Sequence, residues 1–199
     1  MEIGKDGKKR CFGNKPEQQF YADYHDAEWG IPVYDDRMLF EMLILEGAQA
    51  GLSWETVLRK REGYRRAYQG FDVQKIAKMP DAELEALRTD ESIIRNRLKI
   101  YAARKNAHVF IQIQEEYGTF SEYLWTYVDG KPIINYWQSF DEVPAKTVIS
   151  DAISKDLKKR GMSFVGSTII YAYMQAVGIV DDHIKGCWCY ERNRKDAEV

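Results

Sequence analysis

Apolar residues recur at three- and four-residue spacing along most of the chain, and this period constrains the fold more than any other feature. Such spacing places apolar side chains on one face of an α-helix. Only Pro132–Trp137 has the character of a strand, and it is short. We therefore predict an all-α fold. The predicted helices are about eight in number and cover Arg37–Leu45, Trp54–Gln69, Asp72–Lys78, Asp81–Leu87, Ile93–Tyr117, Phe120–Tyr127, Ala145–Arg160 and Val165–Val177.

The chain has the size and composition of one globular domain. Its 199 residues are 45% hydrophobic and 30% charged, which is enough material to bury a substantial core. We expect a single domain over residues 1–199 with two lobes, one over about 71–125 and the other from about 11–70 and 126–190. The tails 1–10 and 191–199 are expected to be flexible.

No membrane span and no secretion signal are visible in the sequence. No apolar run approaches the length of about 18 residues that a span requires, and segment 1–10 is polar and basic. We therefore expect a cytoplasmic protein. Three cysteines in a chain of this length do not form a disulfide framework, so metal ligation or plain thiols are the remaining explanations.

The segment 45–54 places one carboxylate among apolar residues. Glu46 lies near the end of an apolar helix, and Gly47 and Gly51 allow a backbone or a ligand to come close. A carboxylate in such a position needs a partner. Glu46 therefore either binds a ligand or caps a neighbouring helix.

Cysteine and histidine are clustered near the two ends of the chain. His183 and Cys187 are four residues apart, and Cys11 and His25 form a second pair. Two cysteines and two histidines can complete a tetrahedral, structural zinc site. The spacing alone leaves the question open, because single histidines also occur as ordinary core or surface residues. A zinc ion here would join the N- and C-terminal segments.

The charge distribution leaves nucleic-acid binding open. A net charge of −2 argues against binding through bulk positive charge. Basic residues are nevertheless concentrated in Glu55–Arg66, Glu91–Lys105 and Asp151–Ile170, which form either solvated helix faces or a surface along a phosphate backbone. Segment 157–169 reads as two helices joined by a glycine-bounded turn. Such a hairpin is either ordinary packing or a phosphate site, which the adjacent Lys158, Lys159 and Arg160 favour.

Several separated motifs, in this order, resemble those of bacterial DNA-3-methyladenine glycosylase I, a family of the helix-hairpin-helix glycosylase superfamily. The motifs are Cys11; Tyr21-Ala22-Asp23-Tyr24-His25-Asp26-Ala27-Glu28-Trp29-Gly30; Leu45-Glu46-Gly47 with Gly51-Leu52-Ser53-Trp54; Lys158-Lys159-Arg160-Gly161 with Phe164-Val165-Gly166; and Met174-Gln175-Ala176-Val177-Gly178 through Asp182-His183 to Cys187. The resemblance runs from about Cys11 to Tyr190. It implies a two-lobed helical fold of the helix-hairpin-helix type and a structural zinc site. The implied zinc ligands are Cys11, His25, His183 and Cys187, with Cys189 spare.

The resemblance also implies roles for individual residues. Glu46 would hydrogen-bond the alkylated adenine, and the loop with Gln49, Gly51 and Leu52 would enter the duplex beside the lesion. The implied aromatic walls of the base pocket are Tyr21, Tyr24 and Trp54, with Phe12 nearby. The implied contacts to the DNA backbone are Lys158, Lys159, Gly161 and Gly166.

The implied activity is the flipping and hydrolytic excision of 3-methyladenine, which leaves an abasic site. This base is cationic in DNA, so its glycosidic bond is already weak, and aromatic faces beside a carboxylate can select it. Thr168 stands where lyase-type relatives have a lysine, so no lyase activity is expected. The aspartate of most superfamily members has no clear counterpart, and Asp181 and Asp182 are better interpreted as groups that orient His183.

The expected partner is alkylated double-stranded DNA, with no membrane, no nucleotide cofactor and a monomeric state. A different class of function is a non-catalytic, zinc-stapled module that recognises distorted duplex through the hairpin and the basic helices. That alternative explains the charge distribution but leaves Glu46 and the aromatic residues without a role.

Overall fold

The computed structural model describes residue 1 and residues 3–195. Glu2 and residues 196–199, which belong to the tails expected to be flexible, lie outside the described part. The described residues form eleven α-helices and two short strands. The helices are α1 (Gln19–Ala27), α2 (Asp36–Gln49), α3 (Trp54–Leu58), α4 (Arg61–Ala67), α5 (Val73–Ala77), α6 (Asp81–Ala86), α7 (Arg97–Tyr117), α8 (Phe120–Trp125), α9 (Val148–Arg160), α10 (Ser167–Ala176) and α11 (Trp188–Lys195). The strands are β1 (Ile133–Ile134) and β2 (Val180–Asp181).

The structure is mostly helical, and it differs from the predicted all-α fold by one small parallel strand pair. Ile133 pairs with Val180, and Ile134 pairs with Asp181. Strand β1 lies inside the segment that the sequence marked as strand-like. Among the described helices, none combines the length and the apolar composition needed to cross a membrane.

The helix predicted over Trp54–Gln69 is wrong as one element, because the structure has two helices, α3 and α4. At Lys60 the backbone leaves the helical region, with φ −100° and ψ 2°. Helix α4 then packs so closely on the chain at Ser92 that a Cβ on Gly63 would lie 2.1 Å from the Ser92 carbonyl oxygen. This close packing, which the local pattern does not encode, fixes α4 separately from α3.

Side-chain caps mark several helix starts, as the sequence indicates. Ser53 accepts a hydrogen bond from the Thr56 N–H at the start of α3. Thr119 and Glu122 form a reciprocal capping box at the start of α8. Helices α1 and α11 were not predicted. At the start of α1, Gln18 makes no side-chain cap bond, so that signal was absent.

The chain divides into two compact units. The first contains the described residues of 1–32, 131–145 and 174–199, and with them α1, α11 and the strand pair. The second contains 33–130 and 146–173, and with them α2 to α9 and most of α10. These boundaries differ from those of the two predicted lobes. The reason is that α2 packs against α3, α7 and α8, which keeps residues 33–70 with the long middle of the chain.

Helix α2 is the centre of the second unit. Leu39, Phe40 and Leu45 are fully buried, and the Phe40 ring meets Phe110 of α7 edge-on at 5.0 Å between centroids. The Asp36 carboxylate in its first turn accepts hydrogen bonds from the backbone N–H groups of α8, at 2.8 and 2.9 Å. A helix that is buried from Leu39 to Ala48 and anchored at its start gives a rigid support for the residues at its C-terminal end.

The described residues of both predicted tails make internal contacts, and the flexibility of the tails stays a prediction. The Arg10 guanidinium is buried and donates to Asp26 at 2.8 Å, and it also pairs with Asp6. Near the other end, Arg194 donates to the carbonyl oxygens of Tyr190 and His183. Ion pairs and charged hydrogen bonds therefore attach these segments to the first unit, a role that a polar sequence pattern does not reveal.

Candidate functional site

A cavity of about 290 Å³ lies at the C-terminal end of α2, within the second unit. It is bounded by the last turn of α2, by the loop that follows and by the start of α10. The lining residues are Glu46, Gln49, Ala50, Gly51, Leu52, Thr168, Ile169 and Ala172. The structure thus brings together Glu46 and the loop residues that the sequence predicted to act together.

Glu46 is the one ionisable side chain among the residues that line this cavity. Its side chain is 3% exposed, and its Oε2 atom has no hydrogen-bond partner among the described residues. Burial raises the pKa of Glu46 to about 8. A carboxylate that caps a helix accepts N–H bonds and has a lowered pKa, so the capping explanation does not fit. Glu46 has instead the burial and the raised pKa that are typical of a functional carboxyl group.

The turn between α9 and α10 packs against α2 directly beside Glu46. A Cβ on Gly47 would lie 3.2 Å from the Cβ of Phe164 and 3.3 Å from its carbonyl oxygen, so glycine permits this approach. Phe164 has a left-handed backbone with φ 58°, which is uncommon for a bulky residue. The preceding residue, Ser163, is clamped by the buried Asn106 side chain, which donates to its carbonyl and accepts from its N–H, each at 2.9 Å.

At the position of the predicted hairpin, the structure has α9, a short turn over residues 161–166 and α10. Gly161 ends α9 with φ 108°, a conformation that favours glycine. Lys158 and Lys159 at the end of α9 are exposed and form no ion pair among the described residues. Arg160 differs, because it pairs with Glu116 and Asp156. Beyond the turn, a Cβ on Gly166 would meet nothing within 4 Å, so this backbone is open to an approaching group.

Most guanidinium groups in the other two basic segments are engaged within the protein. Arg97 pairs with Glu85, and Arg104 pairs with Asp81. In the earlier segment the buried Arg61 donates to Glu41 at 2.5 Å. For these residues the explanation as structural ion pairs fits better than a surface along a phosphate backbone.

The predicted aromatic residues lie in both units. Trp54 is buried at the first position of α3, in the second unit. Tyr21 and Tyr24 lie on α1, in the first unit, where the Phe12 ring stacks on Tyr21 at 4.5 Å and lies 6.2 Å from Tyr24. The role of these aromatic residues in base binding stays a prediction.

The cysteine and histidine residues form a cluster in the first unit. Ligand atoms of His25, His183, Cys187 and Cys189 lie within 4.8 Å of one another, and all four residues are buried. The predicted set had Cys11 in place of Cys189. Cys11 packs against the group formed by Cys187, Cys189 and Tyr190. Three thiols and two imidazoles therefore meet, which is one group more than a tetrahedral site requires.

Each histidine ring is oriented by a carboxylate. Asp181 Oδ1 lies 2.7 Å from His183 Nδ1, and Asp26 Oδ1 lies 2.8 Å from His25 Nδ1. Carboxylates in this position hold a ring so that Nε2 presents its lone pair to a metal. The Nε2 atom of His183 is buried and has no hydrogen-bond partner among the described residues, so the donor set fits a bound cation. Asp181 thus orients His183, as the sequence indicated.

The two C-terminal thiols meet different edges of His25. Cys187 Sγ lies 3.4 Å from Nε2, whereas Cys189 Sγ lies 3.9 Å from Nδ1, the nitrogen that Asp26 engages. Zinc bonds of about 2.0–2.3 Å in a tetrahedron place neighbouring ligand atoms roughly 3.3–3.8 Å apart. The distance from Cys187 Sγ to Nε2 of His25 lies in this range, whereas Cys189 Sγ approaches the nitrogen that Asp26 engages.

A family model described as methyladenine glycosylase matches residues 14–190 of this chain. The chain belongs to the methyladenine glycosylase family. A DNA-3-methyladenine glycosylase of Haemophilus influenzae is 49% identical over 173 residues, which cover 87% of this chain and 94% of the relative.

Solved structures of this family share the fold. A crystal structure of 3-methyladenine DNA glycosylase I has a TM-score of 0.87 and 48% identity, covering 92% of this chain and 100% of that chain. A variant of 3-methyladenine DNA glycosylase I, solved in complex with 3-methyladenine, has a TM-score of 0.83 and 36% identity, covering 87% of this chain and 92% of that chain.

Two residues that support the site in this member of the methyladenine glycosylase family were not predicted. One is Asn106, which clamps the hairpin turn. The other is Lys99, whose Nζ atom donates to two carbonyl oxygens at the end of α2. Both lie on α7, far in sequence from the groups that they hold, so no local pattern could have identified them. Lys99 was visible only as one member of a basic segment.

Proposed function

We propose that this chain is a DNA repair glycosylase that flips 3-methyladenine out of alkylated double-stranded DNA and hydrolyses its glycosidic bond, leaving an abasic site. Family membership and the activity named for its relatives support the reaction class. The observation that carries the proposal is Glu46, a buried carboxyl group with one oxygen unpartnered among the described residues, at the wall of a cavity.

Glu46 would select the base by charge. The pKa of about 8 means that the empty site holds a neutral carboxyl group at pH 7. A cationic base that enters the cavity lowers this pKa, so Glu46 releases its proton and pairs with the positive charge. Unmodified adenine is neutral and gains no such pairing. Selection therefore rests on a charge that only the damaged base carries.

The bond-breaking step needs little help at the leaving group. The bond between C1′ of the sugar and the base nitrogen breaks, and its electron pair cancels the positive charge of the base. The oxygen of water bonds to C1′, and the proton of that water is released. Because the base leaves neutral without protonation, binding and extrusion of the damaged nucleotide are the main contributions required of the protein.

The cavity favours hydrolysis without lyase activity. A lyase needs an amine that attacks C1′ and forms a Schiff base. The described residues that line the cavity include no lysine, and Thr168 offers only a hydroxyl group. Water is therefore the nucleophile, and the DNA strand at the abasic site stays intact.

We also propose that the cluster of the first unit binds one structural zinc ion through Cys11, His25, His183 and Cys187. The unpartnered Nε2 atom of His183 and the position of Cys187 beside Nε2 of His25 support this assignment. Cys189 stays outside the set, because it meets the opposite edge of His25. Zinc with four protein ligands supplies structure rather than catalysis, and here it would join the N-terminal segment to the C-terminal one.

A base-release assay tests the proposed function. Duplex DNA treated with a methylating agent is incubated with the protein, released bases are identified by mass, and the strand is inspected before and after alkaline treatment. We expect free 3-methyladenine and strand breaks only after alkali. Tight binding to distorted duplex with no released base would favour the non-catalytic, zinc-stapled DNA-binding module instead.

A further inference from the structure

The end of α2 has a feature that its own sequence does not explain. The last carbonyl groups of a helix have no partner inside the helix and must find one elsewhere. Here the Gly47 carbonyl accepts from Ala50 N–H at 3.4 Å, and the Gln49 carbonyl accepts from Leu52 N–H at 2.6 Å. These local bonds do not supply a donor to the carbonyls of Ala48 and Ala50, the residues before and after Gln49.

Lys99 supplies the missing donors. Its Nζ atom lies 2.7 Å from the Ala48 oxygen and 2.7 Å from the Ala50 oxygen. Lys99 lies in the first turn of α7, half-buried, and desolvation lowers its pKa. An ammonium group at a helix C-terminus also interacts favourably with the negative end of the helix dipole. One side chain thus fixes the path of the backbone from Ala48 to Ala50.

The loop that follows is fixed at both ends and open in the middle. Lys99 holds its start at Ala50, and Ser53 holds its end by capping α3. Between them Gly51 has φ 79° with nothing within 4 Å of a Cβ, and Leu52 is 41% exposed. An exposed leucine on a short loop with both ends fixed has the form of a rigid wedge.

We propose that Lys99 is a positioning residue, which holds the loop 50–53 so that Leu52 can enter the duplex beside the damaged base. This inference rests on the proposed function. Lys99 is not among the residues that line the Glu46 cavity, so its effect reaches the base only through the loop. A direct contact of Lys99 with a DNA phosphate fits less well, because its ammonium group is already bound to two carbonyl oxygens and is half-buried.

The test uses Lys99→Met, which keeps the stem and removes the donors, and Lys99→Gln, which keeps one neutral donor. Single-turnover excision of 3-methyladenine from duplex DNA should fall about tenfold or more in Lys99→Met, as expected for loss of a charged hydrogen bond. The excision rate of Lys99→Gln should fall less. Binding of free 3-methyladenine should change less than twofold in both. Lys78→Met, at an exposed lysine after α5, is the matched control and should equal wild type.

A double-mutant cycle with Leu52→Ala separates positioning from a general loss of structure. If Lys99 acts through the loop, Lys99→Met and Lys99→Gln should cost little further excision in the Leu52→Ala background. The inference would be overturned if the excision losses of the Lys99 and Leu52 substitutions were fully additive. It would also be overturned if the Lys99 variants lost as much affinity for free 3-methyladenine as they lost in excision rate. Excision by Lys99→Met at the rate of an active wild type would overturn it as well. If Lys99→Met unfolds, the Lys99→Gln cycle decides. An inactive wild type would instead overturn the proposed function itself.

Discussion

In the proposed reaction, recognition of the damaged base depends on one residue, a carboxyl group that is protonated when its site is empty. Glu46 lies in the last turn of α2, whose residues from Leu39 to Ala48 are buried, and this burial raises the pKa of Glu46 to about 8. Burial disfavours the ionised form of this carboxyl group until a cation binds beside it. Selectivity and a cost in stability therefore come from the same residue.

The free-energy cost of ionising the buried Glu46 predicts that the stability of the fold depends on pH. The pKa of Glu46 is about 8 in the folded protein against 4.5 ordinarily, so between these values the folded state holds a proton that the unfolded state has released. The contribution of Glu46 to the free energy of unfolding should therefore decrease as pH rises from about 5 to about 8. Glu46→Gln cannot ionise and should lack this decrease.

Urea unfolding of the wild type and of Glu46→Gln at pH 5 and pH 8.5 measures this effect. We expect the variant to gain stability relative to wild type at the higher pH, by on the order of a few kcal/mol. Glu83→Gln, at an exposed glutamate on α6, is the control and should show no such gain. Parallel pH profiles for wild type and Glu46→Gln would show that Glu46 is not buried as described.

Among the elements, the hairpin of α9 and α10 both packs against the end of α2 and presents basic residues to solvent. Its turn packs on α2 at Gly47 and is clamped by Asn106, while its basic end is open to solvent. Of the three basic residues at the end of α9, only Lys158 and Lys159 lack an ion pair among the described residues, since Arg160 is paired twice. The hairpin is therefore suited to bind phosphate next to the cavity.

Charge reversal on the hairpin should weaken the binding of undamaged duplex DNA. Each lost phosphate contact reduces the slope of log affinity against log salt by about one unit. We expect this decrease for Lys158→Glu and for Lys159→Glu, measured by titrating duplex DNA at several salt concentrations. Lys78→Glu carries the same change of charge on an exposed site after α5, and its slope should stay that of wild type. An unchanged slope in the hairpin variants would place these lysines away from DNA.

The sequence predicts the elements better than their limits. Apolar spacing identified the regions of α2 and α5 to α10, and side-chain caps such as Ser53 and Thr119 marked the starts of α3 and α8. The break between α3 and α4 was missed because it depends on a close approach between Gly63 and Ser92. The local spacing of apolar residues does not predict contacts between segments that are distant in the sequence.

At the scale of the whole molecule, the first unit brings together residues from both ends of the chain. His25 of α1 lies there beside His183, Cys187 and Cys189, and Cys11 packs against the two C-terminal cysteines. Three of the four predicted ligands, His25, His183 and Cys187, lie in that cluster, and their role as ligands stays a prediction. The motifs could not show that Cys189 would lie as near as it does, because the choice between thiols depends on which edge of His25 each one meets.

Zinc content tests this arrangement. We expect one zinc per chain by elemental analysis and a lowered melting temperature on chelation, because metal binding contributes directly to folding free energy. Cys187→Ser and Cys11→Ser should lose the metal, whereas Cys189→Ser should keep it. Protein without stoichiometric metal would contradict the site. If Cys189→Ser lost the zinc and Cys11→Ser kept it, Cys189 would be the fourth ligand in place of Cys11.

In the proposed function, Glu46 recognises the positive charge of the damaged base. The most direct measurement is single-turnover excision of 3-methyladenine by wild type and Glu46→Gln, with unmodified adenine as the reference base. A hydrogen bond to a charged group contributes about 1.5–3 kcal/mol, so the variant should lose roughly ten- to a hundredfold in excision rate and in discrimination. A loss several orders of magnitude larger would show that Glu46 activates the attacking water. Excision at the wild-type rate would contradict any role of Glu46 in recognising the base.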